Sequence, residues 1–238
     1  MNLVLFEPAE TAAPLPRHDP RARHLLEVLR RGVGDTFDAG LVDGPRGKGT
    51  IAALATGFLT LTFSWDAAPP PPPDPIAIIV GLPRPQTARD LLRDCTTLGV
   101  ASLDFIVTDK GDPNYATSSL WKSGEWRRHL VAGAQQAFAT RLPTVAHGRT
   151  LEETLAKISG AASRLALDNY ESPQSLAAIA LSPPVALALG PERGWSEGER
   201  KLLRLRGFSL VHLGKRVLRT ETAAIAALTL VRSRLGLM

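Results

Sequence analysis

Apolar positions fall into two regimes along the chain. Before residue 69 they form short runs between glycine-rich turns: Leu3–Phe6 reads as a strand, Ala22–Arg31 as a short helix carrying His24, Leu25, Val28 and Leu29, and Thr36–Leu41 and Thr50–Leu54 as strands around the turn-rich Asp43–Gly49. Short strands separated by such turns predict a small β-barrel over residues 1–68. Residues 69–75 are Pro-Pro-Pro-Pro-Pro-Asp-Pro. Prolines lack the N–H that a central strand or helix interior needs, so this stretch is expected to be a stiff linker between domains. From residue 76 strands alternate with helices: Ile76–Val80, then Thr87–Leu98 closed by Gly99, then Ser102–Thr108. Glu125–Phe138 and Leu151–Ser159 follow as helices and Arg164–Asp168 as a strand. The last third reads Val185–Leu189 strand, Ser196–Leu205 helix, Ser209–Leu213 strand, Thr220–Leu235 helix. Ser196 and Glu199 have capping-box spacing, Gly207 stands where a left-handed residue ends a helix, and Thr220 is a candidate cap. This alternation predicts an α/β domain over 76–238, built on a mostly parallel sheet covered on both faces.

Composition narrows the partners. The 238 residues are 44% hydrophobic and 21% charged, and no apolar run approaches the ~18 residues of a membrane span. One cysteine, Cys95, excludes an intrachain disulfide, and the five histidines show no ligand spacing, so no metal site is expected. With no secretory pattern at the start, the expected location is the cytoplasm. Net charge is +5, but Gly190–Met238 holds ten Lys or Arg against four Glu, a net +6, which leaves −1 for the preceding residues. Arg200–Arg206 suits a solvated helix face. Lys215, Arg216 and Arg219 sit in a short loop instead, where a polyanionic partner is the better reading. In residues 1–68 seven basic face eight acidic residues. Arg17, Arg21, Arg23, Arg30, Arg46 and Lys48 are phosphate-contact candidates there, provided that they cluster.

Two loops leave the C-terminal ends of predicted strands. One holds Leu189, Gly190, Pro191, Glu192, Arg193, Gly194 and Trp195; the other holds Leu213, Gly214, Lys215, Arg216, Val217, Leu218, Arg219, Thr220, Glu221, Thr222 and Ala223. In parallel sheets ligands collect at this edge, because its loops precede helix N-termini with unpaired amides and glycine lets the backbone come close. Turn formation and helix capping alone explain the spacing equally well.

The stretch Leu187–Ser196 followed by Leu213–Ala224 resembles the paired C-terminal motifs of the RsmE family, whose members methylate N3 of a uridine in 16S ribosomal RNA. His24-Leu25-Leu26-Glu27-Val28-Leu29-Arg30 with Gly34-Asp35 is similar to that family's PUA-like RNA-binding domain. The resemblance implies a SPOUT-type α/β methyltransferase domain with a C-terminal trefoil knot, a homodimer and small-subunit ribosomal RNA as partner. It also implies S-adenosylmethionine held by Leu189, Gly190, Pro191, Glu192, Gly194, Leu213, Gly214, Val217, Leu218, Thr220, Thr222 and Ala223. Arg23, Arg30, Arg46, Lys48, Lys215 and Arg216 are then the RNA-contact candidates. Arg219, expected beside a buried Val217-Leu218 pair, is the candidate to stabilise the uridine N3 anion; the bland alternative is an ion pair with Glu221 or Glu192. The middle departs from the pattern: Asp94 and Thr97 precede Leu98-Gly99-Val100, no Arg-Ser pair occurs in Asp109–Ser119, and Gln135-Gln136 lacks its following arginine, although Arg141-Leu142-Pro143 is kept. Arg193 interrupts the glycine turn. Another RNA target, or RNA binding without catalysis, therefore stays open.

Overall fold

The computed structural model describes residues 3–158 and 160–238. Ser159, the expected end of the helix beginning at Leu151, lies outside the described residues, as do Met1 and Asn2 of the expected first domain. The chain forms two compact units, one running to Pro72 with Ala134–Leu142 added, the other made of Pro73–Gly133 and Pro143–Met238.

The first unit is a five-stranded half-barrel of β1 (Leu3–Phe6), β2 (Leu15–Pro16), β3 (Thr36–Leu41), β4 (Arg46–Leu54) and β5 (Phe58–Trp65), in the order β1-β3-β4-β5-β2. Strands β1 and β3 pair in parallel and the rest antiparallel. Val4, Phe6, Leu15, Leu25, Phe37, Ile51 and Leu59 fill its core. Strand β4 begins at Arg46, four residues earlier than the turn-rich sequence suggests. Its glycines are strand residues: a Cβ on Gly47 would run into the β5 backbone at Ser64, and one on Gly49 into the Phe37 ring. The helix expected at Ala22–Arg31 starts instead at Pro20, where Asp19 caps it by accepting the Arg21 N–H at 2.8 Å. This helix, α1 (Pro20–Arg23), widens into a π-turn at His24–Val28, closed by the Leu29 N–H on the His24 carbonyl, and stops at Arg30 with φ +52°. The wider turn rotates Val28, expected to pack, out to 66% exposure. Residues Ala134–Leu142 join this unit through backbone and side chain: Thr140 Oγ1 donates to the Gly44 carbonyl at 2.6 Å, and Leu142 N–H to Asp43 Oδ1 at 3.0 Å.

The second unit is a seven-stranded, wholly parallel sheet in the order β10-β12-β9-β11-β6-β7-β8. Its strands are β6 (Asp74–Gly81), β7 (Val100–Val107), β8 (Thr144–Thr150), β9 (Ser163–Leu167), β10 (Gln174–Ser175), β11 (Val185–Leu189) and β12 (Ser209–His212). Its helices are α2 (Pro85–Thr97), α3 (Ser119–Lys122), α4 (Trp126–Gln136, whose last residues belong to the first unit), α5 (Leu151–Lys157), α6 (Glu197–Leu205) and α7 (Thr220–Arg234). The all-apolar β11 lies between β9 and β6 with five buried residues, as its composition demands. Gly99 and Gly207 take φ +79° after their helices, and the Ser196/Glu199 capping box forms. Strand β6 starts at Asp74, inside the expected linker, with Arg232 of α7 holding the Asp74 carboxylate at 2.6 Å. The sheet edges β8 and β10 were not anticipated, because Thr-Val-Ala-His-Gly-Arg-Thr and Gln-Ser lack the apolar run of a central strand. Arg219, not Thr220, occupies the cap position of α7; Thr220 is the first helical residue and is buried.

Candidate functional site

Because β11 enters between β9 and β6, and β12 pairs on the far side of β9, four strands deliver their C-terminal loops to one edge of the second unit. There they enclose a cavity of about 560 Å³. It is lined by Leu189, Gly190, Pro191, Glu192 and Gly194 from the loop after β11, and by Leu213, Val217, Leu218, Thr220 and Ala223 from the loop after β12 and the start of α7. The two segments singled out in the sequence thus meet. Arg216, Arg219 and Glu221 line the same cavity. Gly214 and Thr222 do not. Gly214, at φ +111°, spends its N–H on His212 Nδ1 at 3.0 Å, and Thr222 points to solvent. Lys215 is exposed outside the lining. Val217, expected to be buried, is 80% exposed, because the loop that carries it projects beyond the sheet edge.

The loop after β11 is held from several sides. Gly194, at φ +69°, donates its N–H to the Pro191 carbonyl at 2.7 Å and closes the turn. Trp195 is 1% exposed and donates Nε1–H to the Leu167 carbonyl at 3.0 Å, tying the loop to the end of β9. A Cβ on Gly190 would stand 3.2 Å from the Trp195 nitrogen, a gap that only glycine leaves comfortable. From the β7 side, Lys110 Nζ donates to the Trp195 carbonyl at 3.0 Å and Asp109 accepts a hydrogen bond from the Ser196 hydroxyl. The Glu199 carboxylate accepts N–H groups of both Ser196 and Asp109, at 2.7 and 2.9 Å. So Asp109 and Lys110, at the start of the stretch that departs from the family pattern, brace the loop. The loop after β6 joins through the Arg84 N–H, 3.3 Å from Glu192 Oε1.

Sequence reasoning missed Arg84, Thr87 and the whole post-β9 segment Leu167–Tyr170, all of which line the cavity. Asp168 is 5% exposed there. Its Oδ1 accepts the N–H groups of Tyr170 and Glu171 at 2.8 and 2.6 Å, and its Oδ2 the Arg200 Nε–H at 2.7 Å. Burial alone would raise this carboxyl, but the Glu171 and Tyr170 amides and the Arg200 guanidinium together hold it below the usual aspartate range. No sequence signal marks it, since the partners come from two separate elements.

Arg219 forms no ion pair among the described residues, so the bland alternative, a bridge to Glu221 or Glu192, is not realised. Its side chain makes no capping bond. In the first unit Arg23, Arg30, Arg46 and Lys48 are exposed. Arg46 donates to the Phe138 carbonyl at 3.3 Å, and Lys48 pairs with Asp38 at 2.7 Å, an exposed bridge that an RNA phosphate would exchange at little cost. Arg21 is structural. It is held by Glu10 at 2.7 Å and Asp19 at 2.8 Å, and its guanidinium lies over the Phe6 ring. Trp121 is 5% exposed and packs in the core against Phe105.

A half-barrel followed by a parallel α/β domain with its cavity between the post-β11 and post-β12 loops defines a SPOUT-type methyltransferase fold. The chain matches the family described as RNA methyltransferase domain over residues 70–232. It is 35% identical over 240 residues to ribosomal RNA small subunit methyltransferase E of Treponema pallidum, covering 97% of this chain and 90% of that protein. Against the counterpart named E 1 in Borreliella burgdorferi it is 27% identical, with 99% of both covered. A crystal structure of a ribosomal RNA small subunit methyltransferase E from Neisseria gonorrhoeae, bound to S-adenosyl methionine, shares the fold at TM-score 0.80 and 23% identity over 98% of this chain and 97% of that one. This chain belongs to the RsmE family of RNA methyltransferases.

Proposed function

We propose that this protein uses S-adenosylmethionine to methylate N3 of a uridine in 16S ribosomal RNA. The observation that carries the reading is the meeting of the family's two loop motifs around one cavity at the C-terminal edge of the sheet. The lining suits the cofactor: aliphatic walls from Leu189, Leu213, Leu218 and Ala223, glycine backbone free of Cβ at Gly190, and polar groups at the rim. When bound, S-adenosylmethionine supplies an electrophilic methyl group on sulfonium sulfur. Leu189, Gly190, Pro191, Glu192, Gly194, Leu213, Val217, Leu218, Thr220 and Ala223 hold it. Gly214 and Thr222 act one step back, Gly214 by shaping the turn on His212 and Thr222 within the first turn of α7. Uridine N3 must give up its proton, to water where no side chain takes it, before or during attack, so negative charge develops on the uracil ring. Arg219, unpaired and on the cavity wall, stabilises that charge.

Arg216 and Lys215 contact phosphates of the RNA, and so do Arg23, Arg30, Arg46 and Lys48 of a PUA-like first domain over residues 1–68, which the linker 69–75 joins to the catalytic residues 76–238. The C-terminal part carries the trefoil knot of its family, and the chain pairs into a homodimer through the half-buried Ile225, Ala226 and Leu230 of α7. No helix among the described residues is long and apolar enough to cross a membrane, and the enzyme works in the cytoplasm on the small subunit. Mass mapping of modified nucleotides in 16S ribosomal RNA from a strain lacking the gene tests the reading. A lost 3-methyluridine supports it; an unchanged 16S map with a modification lost elsewhere selects the other-target reading.

A further inference from the structure

We propose that Tyr170 is a stacking platform for a nucleobase of the substrate RNA, fixed at the rim of the cavity by the buried Asp168–Arg200 pair. This rests on the RNA-methyltransferase reading and adds a contact to it. Tyr170 is 77% exposed, although it lines the cavity and follows a buried residue by only two positions. A single exposed aromatic is ordinary on a protein surface; what sets Tyr170 apart is its place at the mouth of a binding cavity and the support built beneath its ring.

Its placement is built rather than incidental. Asp168 Oδ1 receives the Tyr170 N–H directly, so the backbone under the ring is clamped to a carboxylate that Arg200 in turn holds from α6. The Arg200 guanidinium carbon also lies 5.3 Å from the Tyr170 ring centroid and supports one face of the ring. Gly194 faces the ring edge: a Cβ there would come within 3.5 Å of Tyr170 Cε2. The ring therefore stands over the turn after β11, braced on one face and open to solvent.

The electrostatics of this corner suit an RNA strand. Its carboxylates Asp168 and Glu171 would repel phosphate, but each is neutralised, Asp168 by Arg200 and Glu171 by Arg204 at 2.6 Å, and the remaining carboxylates of the lining, Glu192 and Glu221, are outnumbered by Arg84, Arg216 and Arg219. Arg216 and Arg219 line the same cavity and form no ion pair among the described residues. An aromatic face beside free guanidinium groups is the arrangement that binds single-stranded nucleic acid through stacking plus phosphate contact. A base next to the target uridine, left unstacked when the uridine enters the cavity, is the occupant that fits. The adenine of the cofactor fits less well, because the apolar walls at Leu189, Leu213 and Leu218 offer it far more enclosure than a ring in solvent.

The test uses full-length protein saturated with S-adenosylhomocysteine and two fluorescein-labelled single-stranded probes, an oligouridylate and an oligoadenylate. Tyr170→Ala is expected to weaken binding of both roughly 5- to 150-fold, the range for losing one base–aromatic stack. Tyr170→Phe is expected to stay within about threefold of wild type, because the ring is kept. S-adenosylhomocysteine affinity by calorimetry is expected to be unchanged in both. Three results overturn the platform: RNA affinity of Tyr170→Ala equal to wild type; a loss confined to S-adenosylhomocysteine affinity, which assigns the ring to the cofactor; or Tyr170→Phe as weak as Tyr170→Ala, which assigns the effect to the hydroxyl. Wild-type protein that binds neither probe sinks the RNA reading itself, and is distinguished from the first result by the wild-type titration.

Discussion

Gly81→Ala places one methyl group where the end of β6 meets the loop after β11. The new Cβ would lie 2.5 Å from the Pro191 nitrogen, 2.7 Å from Pro191 Cδ and 3.1 Å from the Gly190 carbonyl carbon. Comfortable carbon contacts begin near about 3.5 Å, so something must retreat by about 1 Å. Strand β6 is held by β11 on one side and β7 on the other, with Gly81 itself registered against Ile106. The atoms it meets are backbone and a proline ring, which have no rotamer to change. The loop must therefore move, and with it the cavity wall at Gly190 and Pro191. Overpacking of this kind costs about 1–3 kcal/mol. At roughly 2–4 °C per kcal/mol for a chain of this size, Tm should fall by about 2–12 °C. The functional loss should be larger than that destabilisation suggests, because a displacement of about 1 Å in positioning costs about a hundredfold in rate. Differential scanning fluorimetry and calorimetry with S-adenosylhomocysteine read the two effects separately, with Gly57→Ala as control, since nothing lies within 4 Å of the Cβ position there. Gly81→Ala protein with wild-type Tm and wild-type affinity would refute the claim that this close approach sets the cavity wall.

The other predictions follow from individual side chains. Arg219→Ala should lower turnover roughly ten- to a thousandfold with little change in Tm or cofactor affinity, and Arg219→Lys should rescue little; a large Tm drop with activity intact would make Arg219 structural. Asp168→Asn should destabilise the fold by several kcal/mol, about 3–5 for a broken buried pair. Because the Asp168 carboxyl is held below its ordinary value of 3.8, its contribution is present above that pH and lost as pH falls through the lower folded value. The Tm gap between wild type and Asp168→Asn should accordingly narrow on going from about pH 6 to about pH 2, and a constant gap would show that the charge contributes nothing. Cys95 is fully buried and its thiol is pushed up to about 12 by that burial, so it should resist thiol reagents at pH 8 until the chain unfolds; rapid labelling of native protein would contradict the packing of α2. RNA affinity should fall steeply with salt, and Arg30→Ala should flatten that slope by about one unit while leaving cofactor affinity alone.

How much was legible in the sequence differs by element. Apolar Val185–Leu189 and the capped helix α6 announce themselves, because burial on both faces and helix-end chemistry each impose a local pattern, whereas the cap read at Thr220 falls one residue inside α7. The two loops that line the cavity followed from the same locality: glycine where backbone must turn or approach, a helix start just beyond. Gly47 and Gly49 show the limit. Their composition says turn, whereas the crossing of β5 and the Phe37 ring required strand glycines, and neither neighbour is near in sequence. The membership of Ala134–Leu142 in the first unit is of the same kind, decided by Thr140 on Gly44 and Leu142 on Asp43.

What the sequence by itself determined is what local rules encode: the change from short strands to a strand–helix alternation at the proline run, the buried central strand, the capping box of α6, and two glycine loops bearing arginines. Only the tertiary structure decided that β11 enters between β9 and β6, and that Asp168, Tyr170 and Arg200 assemble at the cavity rim. It likewise decided that Asp109 and Lys110 brace Trp195 and Ser196. The physical reason is that strand order and charge pairing depend on which surfaces meet after 30 to 90 residues of intervening chain, as in the Asp168–Arg200 and Asp109–Ser196 contacts, and no periodicity carries that information.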